Sequence, residues 1–264
     1  MPQVSSPEHP PGRTAGLAAL LEATAGVEQS HFWFRGFRRF VEPLLAAAAE
    51  GRRDLRIADC GAGTGANLRV LERYGRPIGV ELTLAGTRIA RRRGERRLCV
   101  GDVTALPFRS ASIDLATSFD VLYCLPDAAE RAALDEMHRV LAPGGKVLIN
   151  VAAMPSVRGR HSEFTWEVRR YTRRGLVAAL DRAGFTTVRA TYTNAATLPA
   201  VAAVRALQRR GFLRRATGSA RDLRTPPSPV NAALAGALAL EAALLRVIDM
   251  PFGSSLLALA VKRQ

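Results

Sequence analysis

The run Ile57-Ala58-Asp59-Cys60-Gly61-Ala62-Gly63-Thr64-Gly65-Ala66-Asn67-Leu68 constrains this chain more than any other stretch. A short apolar segment follows the charged Arg52-Arg53-Asp54. Three alternate glycines come next, then a helical pattern with Leu68 and Leu71 on one face. Strand, glycine turn and helix in that order form the opening unit of a nucleotide-type α/β fold. A plain strand-to-helix turn seldom needs three alternate glycines, since each costs about 0.5–1 kcal/mol of chain entropy. Gly61 permits the tight turn, Gly63 removes a Cβ where a ligand approaches the backbone, and Gly65 lets helix pack on strand.

The turn by itself does not name the ligand, because Gly61 to Ala66 also satisfies the G-x-G-x-x-G/A dinucleotide pattern. Ile78-Gly79-Val80-Glu81 reads as a second strand ending in an acid, twenty residues after Gly61. A carboxylate there can accept both hydroxyls of an adenosine ribose, in a nicotinamide cofactor or in S-adenosylmethionine alike. A third strand, an acid and a Pro-Phe loop follow in Leu98 to Phe108. Further strands are expected in Ile113 to Asp120 and after Leu141-Ala142-Pro143-Gly144-Gly145.

As an ordered set these segments closely resemble the class I S-adenosylmethionine-dependent methyltransferases, in particular the UbiE-like, methyltransferase type 11 group. The matching pieces are D-x-G-x-G-x-G at Asp59 to Gly65, the ribose acid Glu81, G-D-x-x-x-L-P-F at Gly101 to Phe108, and L-x-P-G-G at Leu141 to Gly145. The likeness covers about residues 31 to 195. It implies a Rossmann-like, doubly wound sheet of seven strands, mostly parallel with an antiparallel last strand. It also implies S-adenosyl-L-methionine as cofactor, held by Asp59, Gly61, Ala62, Gly63, Gly65, Glu81, Leu82, Asp102, Val103, Ser118 and Phe119. In the family the acid matching Asp102 receives the adenine amino group, Val103 would touch the ring, and Ser118 and Phe119 would line the methionine and adenine side. Cys124 stands where the family often has His. The activity implied is methyl transfer to a small-molecule or lipid-like acceptor, with O-methylation favoured. The readings set against it are a nicotinamide-dependent oxidoreductase and a non-catalytic methyltransferase-like partner protein. Nothing after residue 110 resembles a Tyr-x-x-x-Lys hydride-transfer pair.

A charge of +15 suggests nucleic acid at first sight, but all but two of the 38 basic residues are arginine. That points to a compositional bias of the whole chain rather than a nucleic-acid surface, and leaves anionic acceptors or lipids as partners. Cys60, Cys99 and Cys124 have no metal-type spacing and read as reduced thiols of a cytoplasmic protein. No metal is expected. Residues 1–14 read as a disordered leader, 15–50 as an N-terminal helical cap, 51–195 as the cofactor-binding core, 196–250 as a helical insertion and 251–264 as the last strand of the core.

Within the cap, His31 to Phe40 holds five Phe or Trp residues in ten. It reads either as a helix packed on the core or as a lid in which Trp33 and Phe34 exclude water and Arg35 meets an anion. The loop from Met154 to Trp166 leaves the expected carboxyl edge of the fifth strand. It supplies His161 and Glu163 as candidate general bases, with Trp166, Arg170 and Tyr171 as substrate-side residues. In the insertion, Val230 to Ile248 is apolar nearly all round. It is expected to be a substrate cover or dimer surface, with peripheral membrane docking through Arg209, Arg210, Arg214 and Arg215 as the second choice.

Overall fold

A computed structural model describes residues 11–154, 167–199 and 223–263. Seven strands form one sheet: β1 (Leu55–Cys60), β2 (Gly75–Glu81), β3 (Leu98–Val100), β4 (Ile113–Phe119), β5 (Leu141–Ala152), β6 (Phe185–Thr193) and β7 (Ser255–Lys262). Their spatial order is β3-β2-β1-β4-β5-β7-β6. The first five pair in parallel, and β7 runs antiparallel to both β5 and β6. The chain winds outward from β1 to β3 and then returns to place β4 beside β1. The strand order therefore reverses there, and the carboxyl ends of β1 and β4 open the crevice where ligands of such sheets bind.

Alternation along the strands separates two cores. On one face Ala58, Ala116, Ile149 and Ala258 pack under α5 (Asp127–Val140) and α6 (Arg173–Arg182), which contribute Leu134, Met137, Leu176 and Leu180. On the other face Ile57, Leu115, Leu148 and Leu257 meet α2 (Phe32–Ala49) and α7 (Ser228–Leu244) through Phe40, Leu44, Leu45 and Leu238. Each of these large side chains is at most 2% exposed and contributes about 1.5–3 kcal/mol. Helix α2 fits tightly under α7: a Cβ added to Gly36 would sit 2.4 Å from Leu238 Cδ1.

Several boundaries differ from the sequence reading. Helix α1 (Pro11–Val27) starts within the stretch expected to be a disordered leader. The aromatic run is no separate lid element but the opening of α2, which continues unbroken through Pro43 to Ala49. Helix α3 is a single turn, Leu68–Leu71, and α4 (Leu84–Arg92) gives way to Gly94, whose φ of +82° breaks the helix before the expected Arg97. The first expected helix of the insertion and the Arg209–Arg215 cluster lie largely outside the described residues. Among the described residues no helix is long and apolar enough to cross a membrane.

Candidate functional site

The glycine turn leaves the carboxyl end of β1 with Gly61, Gly63 and Gly65 all at positive φ, +91°, +55° and +76°. The Gly61 and Ala62 amides donate to the Val80 carbonyl at 2.8 and 3.0 Å, tying the turn to β2. A Cβ at Gly61 would stand 2.3 Å from Val121 Cγ2, so only glycine lets the segment after β4 come this close.

Glu81 is 5% exposed and held at both oxygens. Oε2 accepts from the Gly63 amide at 3.0 Å, while Oε1 accepts from the Thr83 amide at 2.9 Å and the Thr83 hydroxyl at 2.7 Å. The Thr83 hydroxyl in turn accepts from the Gly86 amide and caps α4. The expected ribose acid is therefore fixed directly against the turn, and the Gly101 amide, one residue before Asp102, donates to the Glu81 carbonyl at 3.0 Å. Asp102 folds back on its own loop, Oδ1 accepting from the Thr104 amide and hydroxyl at 2.8 Å each. Val103 beside it is buried and Leu82 is exposed. The two acids thus stand at the neighbouring ends of β2 and β3, with Glu81 bonded to the turn.

Asp59 has the most unusual surroundings. It is 1% exposed; Oδ1 accepts from the Thr117 hydroxyl at 2.7 Å, and Oδ2 is buried with no partner among the described residues. Burial raises its pKa to about 6, the Thr117 hydrogen bond opposes this, and the charge of Glu81 adds to it. An orphaned carboxylate oxygen beside a glycine-lined bend fits a ligand that brings a cationic donor, and S-adenosylmethionine, with its ammonium and sulfonium groups, is such a ligand. The Ser118 hydroxyl and Asn150 Oδ1, also buried and without a partner among the described residues, lie on the adjoining ends of β4 and β5. Phe119 stacks edge-on against Phe37 of α2 with centroids 5.1 Å apart.

The cover over the turn comes from α1, the first helix of the expected helical cap. Leu21 of α1 places Cδ2 3.3 Å from where a Cβ on Gly63 would lie. Just past α1, Glu28 accepts from the Thr64 hydroxyl at 2.8 Å and pairs with Arg93. Trp33, Phe34 and Arg35 sit half-buried at the start of α2. Arg35 lines a cavity of about 310 Å³ with Arg38, Arg39, Glu42 and Arg73, an arginine-rich recess against the first turn of helix after the glycines.

Beyond β5 the expected substrate residues separate. Tyr171 is 5% exposed, part of the core under α5 and α6, and its hydroxyl donates to Glu130. It is thus a packing residue rather than a substrate-facing one, because a phenol in that core needs an internal acceptor. Arg170 is likewise engaged inside: it donates to both Glu167 oxygens at 2.5 and 2.9 Å and to the Ala153 carbonyl at 3.0 Å. His161, Glu163 and Trp166 lie outside the described residues. Among the described residues no group of His, Cys, Asp and Glu is arranged to hold a metal.

The sequence reading passed over Asp120, which directly follows β4 with a φ of +62°. Its amide donates to the Asn150 carbonyl at 3.0 Å and its Oδ1 accepts from the Asn150 side-chain amide at 2.9 Å. The signal available was an acid directly after an apolar strand, at the edge where ligands sit.

Residues 58–149 match the family described as a methyltransferase domain. The malonyl-[acyl-carrier protein] O-methyltransferase 1 of Coxiella burnetii is 34% identical over 111 residues, 41% of this chain and 37% of that protein. A Homo sapiens protein named "Probable tRNA methyltransferase 9B" is 38% identical over 109 residues, 40% of this chain and 23% of its own. The chain spans less than half the length of these curated relatives. The crystal structure of Burkholderia thailandensis 1,6-didemethyltoxoflavin-N1-methyltransferase, with bound 1,6-didemethyltoxoflavin and S-adenosylhomocysteine, superposes with a TM-score of 0.55 at 19% identity, over 99% of this chain and 94% of that one.

Proposed function

We propose that this chain, which carries a class I S-adenosylmethionine-dependent methyltransferase domain, transfers a methyl group to a small-molecule or lipid-like acceptor, with an oxygen as the favoured target. The observation that carries the reading is the orphaned Asp59 Oδ2 beside the Glu81-braced glycine turn. When bound, S-adenosylmethionine supplies a methyl group that its sulfonium already makes electrophilic. The chain's task is then to hold the acceptor in line and keep water out, and alignment of this kind is worth roughly 7–11 kcal/mol of barrier.

Asp59 would bind the cationic end of the cofactor, Glu81 the ribose, and Asp102 with Val103 the adenine. Glu81 would serve the ribose while its backbone partners keep its carboxylate oriented. Leu21, Trp33 and Phe34 exclude water from the amino-terminal side. Arg35, Arg38, Arg39 and Arg73 support an acceptor that carries an anionic group. His161 and Glu163 remain the bases nominated by the sequence. On α7, Leu240 and Leu244 are exposed, which supports a cover, dimer surface or lipid-facing role for the insertion. A nucleic-acid acceptor is the second reading, favoured by the tRNA methyltransferase relative.

Incubation with methyl-labelled S-adenosylmethionine and separate pools of hydroxylated small molecules, extracted lipids and bulk tRNA tests this proposal. The proposal expects label in the first or second pool as an O-methyl group. Label in tRNA alone would replace it with the second reading, and reduction of a carbonyl with NADH would refute both.

A further inference from the structure

We propose that Asp120 is the proton acceptor of this site, taking the hydroxyl proton of the methyl acceptor as its oxygen is methylated. This rests on the methyltransferase reading above and adds a residue to it.

Four observations converge on Asp120. It stands at the strand-order reversal, one residue beyond Phe119 on the tip of β4. Its backbone is left-handed, a conformation uncommon outside glycine that aspartate adopts more readily than most residues. The surroundings hold it there through two bonds from the same residue of the next strand, the Asn150 carbonyl and the Asn150 side-chain amide. A corner fixed in this way at a ligand-binding edge holds its side chain in one orientation.

The second observation is the division of labour within the carboxyl. Oδ1 is occupied by Asn150, whose own side chain is 3% exposed and therefore fixed. Oδ2 has no partner among the described residues, and Asp120 as a whole is exposed. One oxygen is thus anchored while the other stays open to an incoming hydroxyl.

Third, although solvent reaches Asp120, protein surrounds it closely enough to raise its pKa to about 7, with the Asn150 hydrogen bond opposing. A base is most effective when its pKa lies near the working pH. Tyr123, from the short turn after β4, feels the charge of Asp120 together with Cys124 of the same turn and Glu167 and Arg170 of the segment before α6. Tyr123 is held well above its ordinary pKa by burial and by the charge of Asp120, so it stays protonated and does not compete as a base. Glu167 and Arg170 neutralise each other in a buried pair.

Fourth, Val121, the next residue, packs on Gly61, so Asp120 adjoins the glycine turn rather than a remote surface. The step balances. The acceptor O–H proton passes to Asp120 Oδ2, the new O–CH3 bond forms as the S–CH3 bond breaks, and sulfur keeps that electron pair and loses its positive charge. Asp120 then returns the proton to water, so one proton is released per methyl transferred.

The test uses the full-length protein and Asp120→Asn, with phenol and 4-nitrophenol as acceptor probes. Asparagine tolerates the left-handed conformation, so the variant should fold with an unchanged melting temperature. The proposal expects S-adenosylhomocysteine binding by calorimetry to be unchanged. It also expects methylation of phenol to fall about 100-fold or more, while 4-nitrophenol, about half of which is already phenolate at neutral pH, loses less than about threefold. The acidic limb of the rate profile near pH 7 should vanish in the variant. Equal losses on both phenols, or no loss on phenol, would overturn the proposal. Failure of the parent protein to bind S-adenosylhomocysteine would instead overturn the methyltransferase reading on which the proposal stands.

Discussion

Asp59 holds the most consequential single charge in the molecule. Its pKa of about 6 lies above that of an unfolded aspartate, so the ionised form costs the cofactor-free fold stability. The sign follows: this contribution is complete below about pH 4 and is lost as the pH rises through 6. A ligand ammonium reverses the preference, because it pairs with the ionised form. S-adenosylhomocysteine affinity should therefore fall about tenfold from pH 7 to pH 5, where roughly a tenth of Asp59 is ionised. Asp59→Asn should bind weakly at both pH values and show no such slope in calorimetry. A parent affinity flat over this range would remove Asp59 from the binding site. This residue was legible in the sequence because its motif fixes it beside the glycines. Asp120 was not, since its importance lies in a backbone angle and in Asn150, thirty residues away in the sequence.

At the level of elements, the strands were legible because each is a short apolar run bounded by glycine, proline or charge, and alternation assigns its two faces. The helices near the site were harder. Nothing in Pro11 to Val27 marks α1 as the element that reaches Gly63, because that contact depends on how α1 packs against α4 rather than on its own pattern. Likewise, the aromatic run reads equally as a packed helix or a lid, because local composition does not reveal which neighbours α2 meets. Tyr171 was misread for a related reason: an aromatic after two arginines resembles a binding-loop residue until its hydroxyl is found on buried Glu130. The position of Leu21 makes α1 a cover for the bound cofactor. Leu21→Asp should accelerate S-adenosylhomocysteine release about tenfold, equivalent to ~1.4 kcal/mol, with the far-ultraviolet dichroism unchanged. An unchanged release rate in stopped-flow measurements would show that α1 covers nothing the cofactor uses.

For the molecule as a whole, the topology converts three distant acids into neighbours. Asp59, Glu81 and Asp102 end three parallel strands or their loops, and the reversal after β3 brings the tip of β4 against the same bend. Among the described residues some arginines pair with carboxylates, as in Arg56–Asp114, Arg139–Glu136 and Arg189–Asp249, so the basic count alone says little about partners. Everything functional depends on whether the bend receives the adenosine half of a methyl donor. Native mass spectrometry of the intact protein with excess S-adenosylhomocysteine measures this directly. The account predicts one bound molecule per chain, reduced to none in Glu81→Ala. A parent protein that stays ligand-free, or that takes up NADH in preference, would contradict it.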